Sequence, residues 1–143
     1  MPGERRIGLA ESTVPTLQGV LETVLYYTED ERTAEFYGGL LGMRVLEREP
    51  GRHQFYRAGS SVFLLFRAEE TLRSESLPPH GARGPGHVCF RVAREQYDGW
   101  KEHLSAAGVP VLQETRWPRG LSFYFHDPDG NVLEIADADI WPR

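Results

Sequence analysis

At 143 residues the chain suits one compact domain, or two small halves sharing one core, and it is long enough to bury most of its apolar side chains. With 40% hydrophobic and 26% charged residues it reads as soluble and globular rather than disordered or fibrous. The net charge of −5 argues against a nucleic-acid surface, which needs clustered Lys and Arg to neutralise phosphates.

Residues 1–18 are expected to form a flexible N-terminal arm, since they hold no apolar run long enough for a signal peptide. No stretch reaches membrane-spanning length, so no membrane contact is expected. A strand follows at Val20 to Tyr26, then helical spacing of Ala34, Phe36, Tyr37, Leu40 and Leu41, stopped by Gly42. Three short strands come next, near Arg44 to Glu49, His53 to Ala58 and Ser61 to Arg67, punctuated by Pro50-Gly51 and Gly59-Ser60. Residues 69–85, with Pro78, Pro79, Gly81 and Gly84, read as a linker.

The same order then repeats. A strand at His87 to Val92 leads into an amphipathic segment from Arg94 to Ala107, stopped by Gly108. Strands near Pro110 to Thr115, Leu121 to His126 and Asn131 to Ala136 follow, the last two joined by the turn sequence Asp127-Pro128-Asp129-Gly130. The expected architecture is one α+β domain over 19–137, with modules at 19–68 and 86–137 and a tail at 138–143. The single cysteine, Cys89, excludes an internal disulfide framework, fits a reducing cytoplasm and reads by default as a small core residue.

Glu22, His87 and Glu134 are ionisable residues set mid-strand among apolar neighbours, at matching points of the repeat. Burying any of them unpaired costs several kcal/mol on the usual scale, so each needs compensation. A shared divalent cation satisfies all three; the alternative is a separate hydrogen-bond partner for each. Ser122, Tyr124 and His126 alternate onto one strand face, and His53, Phe55 and Arg57 onto another. Trp117 stands in the loop before the final hairpin, where it can cover a cavity mouth.

The doubled strand, helix and three strands, the phrase from Gly84 to Val92 (GPGHVCFRV) and the phrase from Ser122 to Glu134 (SFYFHDPDGNVLE) resemble the vicinal oxygen chelate superfamily. That superfamily includes glyoxalase I, fosfomycin-resistance thiol transferases, extradiol dioxygenases, methylmalonyl-CoA epimerase and bleomycin-binding proteins. The resemblance implies two tandem βαβββ modules forming a cupped, incomplete β-barrel around a central site. It implies metal ligands at Glu22, His87 and Glu134. Two carboxylates and one imidazole favour Mn²⁺, Fe²⁺, Ni²⁺ or Zn²⁺ without selecting among them. Glyoxalases and epimerases add a fourth ligand at the place of Leu64, which is apolar here, so three ligands remain and open positions are left for substrate oxygens.

The resemblance also puts Tyr124 beside the metal as a hydrogen-bonding or acid-base residue. It matches Arg83 to an arginine that holds a glutathione carboxylate, while the partner arginine is replaced by Tyr26. Tyr26, His53, Phe55, Leu64, Arg83, Trp117 and Ser122 are the expected substrate contacts. The implied function is a metal-dependent enzyme acting on a small molecule with vicinal oxygens, by dioxygenation, thiol transfer or a lyase or isomerase reaction, with a homodimer as the expected assembly. The alternative is a non-catalytic small-molecule binding protein, in which Tyr26, Phe55, Trp117 and Tyr124 line a cavity.

Overall fold

The computed structural model describes residues 14–137 and 140–142, so most of the expected arm and part of the tail lie outside the described residues. The first module runs β1 (Glu22–Tyr27), α1 (Asp30–Ala34, continued by a π-wound turn Glu35–Leu40), β2 (Arg44–Glu49), β3 (His53–Ala58) and β4 (Ser61–Arg67). A short α2 (Ala68–Thr71) opens the connection to the second module. That module runs β5 (His87–Arg91), α3 (Tyr97–Ala106, entered through a 3₁₀ turn at Arg94–Gln96), β6 (Gln113–Trp117), β7 (Gly120–His126) and β8 (Val132–Ala136).

Each module makes one four-stranded mixed sheet, ordered β1-β4-β3-β2 and β5-β8-β7-β6, and no barrel closes among the described residues. The repeat holds at the level of register. Glu22 pairs with Val62 as His87 pairs with Val132, and Val24 pairs with Leu64 as Cys89 pairs with Glu134. Leu64 therefore occupies in the first sheet the place of Glu134 in the second.

Expected as a regular helix up to Leu41, α1 instead widens at its end. Leu41 N–H reaches the Phe36 carbonyl at 2.9 Å and Met43 N–H reaches Tyr37 at 3.0 Å, longer loops than the α-helical ladder. Gly38 and Gly39 are poor helix formers and sit inside this turn. The widening lets consecutive residues Phe36 and Tyr37 both reach the core, at 8% and 0% exposure. Strand β6 begins later than the hydrophobic pattern suggests, at Gln113, since most of its residues are exposed and alternate weakly.

One core serves both modules. Alternation sends Leu25, Tyr27, Tyr56, Phe63 and Leu65 inward from the first sheet and Phe123, Phe125, Leu133 and Ile135 inward from the second. Helix α1 touches both, because Phe36 packs on Phe125 and Tyr37 on Phe63 and Tyr56. Each fully buried side chain of this kind contributes roughly 1.5–3 kcal/mol. The buried Tyr37 hydroxyl donates to Asp127 at 2.6 Å, and Asp127 also accepts from the Asn131 side chain and from the backbone N–H groups of Asp129 and Asn131. The Asp-Pro-Asp-Gly turn, with Gly130 at φ 84°, thus also pins the second module's hairpin to the first module's helix. With the apolar faces joined in this core, the other face of each sheet is turned away from it, and the candidate residues stand there.

Candidate active site

Period-two alternation divides the expected site residues into two sets. Glu22 and Tyr26 (β1), His53 and Phe55 (β3) and Leu64 (β4) lie on the outward face of the first sheet. His87 (β5), Ser122 and Tyr124 (β7) and Glu134 (β8) lie on the outward face of the second. Arg83 is exposed in the connecting segment.

The second set converges. His87 Nε2 lies 3.4 Å from Glu134 Oε1, and His87 Nδ1–H donates to the Val132 carbonyl at 2.8 Å. That bond fixes the tautomer and leaves the Nε2 lone pair free on the side of the carboxylate. The Tyr124 ring stands 6.3 Å from the His87 ring, and Tyr124 is the direct cross-strand neighbour of Glu134. Burial, followed by the Glu134 charge, raises the Tyr124 hydroxyl above its usual value, so at neutral pH it is a protonated donor. The Trp117 indole N–H donates to Ser122 Oγ at 2.9 Å, which ties Trp117 down over the buried Ser122.

Glu134 is 5% exposed, and its Oε2 is buried with no hydrogen bond of good geometry, the Cys89 thiol and the Tyr124 hydroxyl being the polar groups closest to its carboxylate. Buried carboxylate oxygens are seldom left so, because the unmet desolvation costs kilocalories. An orphan acceptor beside an imidazole lone pair is a donor set that fits a divalent cation. Glu22 is exposed on the other sheet, and among the described residues no three His, Cys, Asp or Glu side chains gather around one point.

The first set forms a wall. His53 stacks on Phe55 with ring centres 4.0 Å apart, Phe66 packs edge-on against Phe55, and His53 Nε2–H donates to Glu47 at 2.7 Å. The Tyr26 hydroxyl shares a 2.6 Å hydrogen bond with His80 Nδ1, which draws the connecting segment across this wall. Leu64 is 8% exposed and apolar.

Two neighbours escaped the sequence reading. Cys89 is not a core residue: Val88 and Phe90 turn inward while Cys89 faces outward beside Glu134. Its spacing of two from His87 already placed it on the ligand face. Burial and then the Glu134 charge push its thiol up to about 12, so it is no thiolate nucleophile at neutral pH. His80 lies in the proline-rich connection, where no periodicity marks it.

Among solved structures, a lactoylglutathione lyase from Agrobacterium tumefaciens superposes with a TM-score of 0.83 at 32% identity, covering 88% of this chain and 98% of that one. A glyoxalase-related enzyme from Fulvimarina pelagi superposes with a TM-score of 0.69 at 28% identity, covering 88% and 92%. Glutathione transferase FosA of Serratia marcescens is 41% identical over 57 residues, 40% of each chain. Metallothiol transferase FosB of Bacillus licheniformis is 27% identical over 86 residues, 59% of this chain and 53% of that protein. The chain thus spans about half or less of these two curated relatives. The family model matches residues 19–135, nearly the whole described fold, and the chain belongs to the Glyoxalase/Bleomycin resistance protein/Dioxygenase superfamily.

Proposed function

We propose that the chain is a divalent-metal-dependent enzyme acting on a small molecule with neighbouring oxygens, and that its reaction is of the thiol-transferase kind. The observation that carries the metal is the buried Glu134 carboxylate with one orphan oxygen, set against the free Nε2 of His87. Leu64 supports transfer over lyase chemistry: the place where glyoxalases carry a fourth ligand is here a buried aliphatic side chain. Sequence similarity to FosA and FosB points the same way.

His87 and Glu134 hold the ion, and Glu22 completes the set from the first strand of a second copy. Its exposure on a sheet face turned away from the shared core makes it available to a partner chain. A cation held there supplies Lewis-acid stabilisation of charge developing on two substrate oxygens. Tyr124, kept protonated, donates a hydrogen bond to one of those oxygens. The face that brings Glu22 from the second copy also brings the wall of Tyr26, His53 and Phe55, which excludes water and packs the substrate's body, while Trp117, fixed by Ser122, closes one side. This aromatic wall also favours a second reading, a binding protein that sequesters a small molecule without turning it over.

Mixing separates these readings. Glu22→Gln and Glu134→Gln variants each lose metal; refolded together, they form mixed dimers in which one of the two sites is intact. Recovery of metal and of thiol consumption toward an electrophilic substrate panel in the mixture supports the shared catalytic site. Metal retained by Glu22→Gln alone contradicts the Glu22 assignment. Substrate binding without turnover, at full metal occupancy, supports the sequestering protein.

A further inference from the structure

At the seam where β1 and β5 approach, the two modules leave a cleft of about 550 Å³ that takes residues from both sheet faces, inward Val88 and Phe90 and outward Cys89 and Arg91. Its floor is apolar, made by Val88, Phe90, Ile135 and Trp100. Its lining also takes in three arginines, Arg44, Arg57 and Arg91, together with Thr23, Ser60 and Ser61. No Asp or Glu lines it, in a chain whose net charge is −5.

The arginines are the informative part. Six cations of the described chain are ion-paired: Arg32 with Glu29 and Asp129, Arg52 with Glu49, Arg67 with Glu69, Arg73 with Glu70, Arg94 with Asp137 and Lys101 with Glu114. Arg57 donates to the Ser61 carbonyl at 3.5 Å, whereas Arg44 and Arg91 make neither an ion pair nor a hydrogen bond among the described residues. Arg44 and Arg91 come from different modules and converge on one cleft. Guanidinium groups of one sign over low-dielectric walls focus a positive potential, and their planar forks suit carboxylate or phosphate.

We propose that this cleft is a second binding site, for a small amphiphilic anion whose carboxylate or phosphate head lies on Arg44 and Arg91 and whose apolar body lies on Phe90 and Trp100. Strand β5 is common to both sites: His87 at its start belongs to the metal pair and Arg91 at its end to the cleft.

The test uses 1-naphthyl phosphate as probe and 1-naphthol as its uncharged control, titrated into the full chain by calorimetry, with and without added metal. The proposal expects the phosphate to bind the wild type, and Arg44→Gln and Arg91→Gln each to weaken it roughly tenfold or more, as loss of a charge-assisted contact does. Both residues are exposed, so both variants fold. His87→Ala, which disables the metal site, should leave this affinity unchanged. Equal binding of 1-naphthol, indifference to both arginine variants, or loss of binding in His87→Ala would each overturn the proposal. Inorganic phosphate run in parallel tells whether the head group alone suffices; binding as tight as that of the naphthyl compound would overturn the role given to the apolar floor.

Discussion

Replacing Glu134 by Gln should make the metal-free protein more stable and the metal-loaded protein less so. One carboxylate oxygen faces His87 Nε2 at 3.4 Å, and the other is buried without a partner. Leaving a buried polar atom unmet costs about 1–3 kcal/mol, and more when it is charged. The His87 Nε2 lone pair turned toward the carboxylate returns nothing, and even a protonated ring, its side chain 51% exposed, would return less than about 1 kcal/mol. Gln keeps the shape and removes the charge, for a net gain of roughly 1–2 kcal/mol, or a rise in Tm of about 3–8 °C in a domain of this size. With a divalent ion at a hundredfold excess over its Kd, the wild type should gain about 2.7 kcal/mol by mass action and the variant almost nothing. Scanning calorimetry on chelator-treated and metal-supplemented samples therefore gives an inverted order between the two conditions. A metal-free Glu134→Gln protein that melts below the wild type, or one that gains as much from metal, would refute the reasoning that this carboxylate is kept at a cost for a ligand.

Three further outcomes follow from the packing. Tyr37→Phe removes the buried hydroxyl that donates to Asp127 and should cost about 1–2 kcal/mol in urea denaturation; a change below about 0.5 kcal/mol would show that the bond between the modules adds little. Gly86→Ala puts a Cβ 2.6 Å from Leu25 Cδ2, at the point where the two modules meet, and should destabilise by about 1–3 kcal/mol in the same assay. The Glu114 carboxylate is held below the usual range by the Tyr97 hydroxyl and then by Lys101, so its folded value lies beneath its unfolded one. Its contribution is present at neutral pH and lost as pH falls through the carboxylate range to that lowered value. Glu114→Gln should flatten the acid limb of the stability curve, and an unchanged limb would exclude this contribution.

How much of this was legible in the sequence depends on what each feature needs. Period-two alternation placed β3 and β4 at their observed bounds, and the tandem pattern gave two modules, because one-face burial imprints itself on the order of residues. The π-wound end of α1 was not legible, since it arises from two tertiary demands, the burial of both Phe36 and Tyr37. His87 and Glu134 were legible as ionisable residues set mid-strand among apolar neighbours, and their approach to 3.4 Å comes from the parallel pairing of β5 with β8. The outward placement of Cys89 followed from the same alternation, but a small apolar residue between Val88 and Phe90 also suits a core. What the sequence left open was how the modules face one another. Spacing aligns Glu22 with His87 in the repeat, whereas the shared core turns the two outward faces away from each other, and that is a property of the docked modules. The Arg44 and Arg91 convergence was hidden for the same reason, since the two residues lie on different modules.

The most direct measurement is metal content by mass spectrometry on untagged protein purified without chelator, comparing wild type with His87→Ala. The account predicts close to one divalent ion per chain in the wild type and its loss in the variant. Wild-type protein that takes up no metal even after Mn²⁺, Fe²⁺, Ni²⁺ and Zn²⁺ are each added back, or a His87→Ala variant that retains it, would contradict the proposed site.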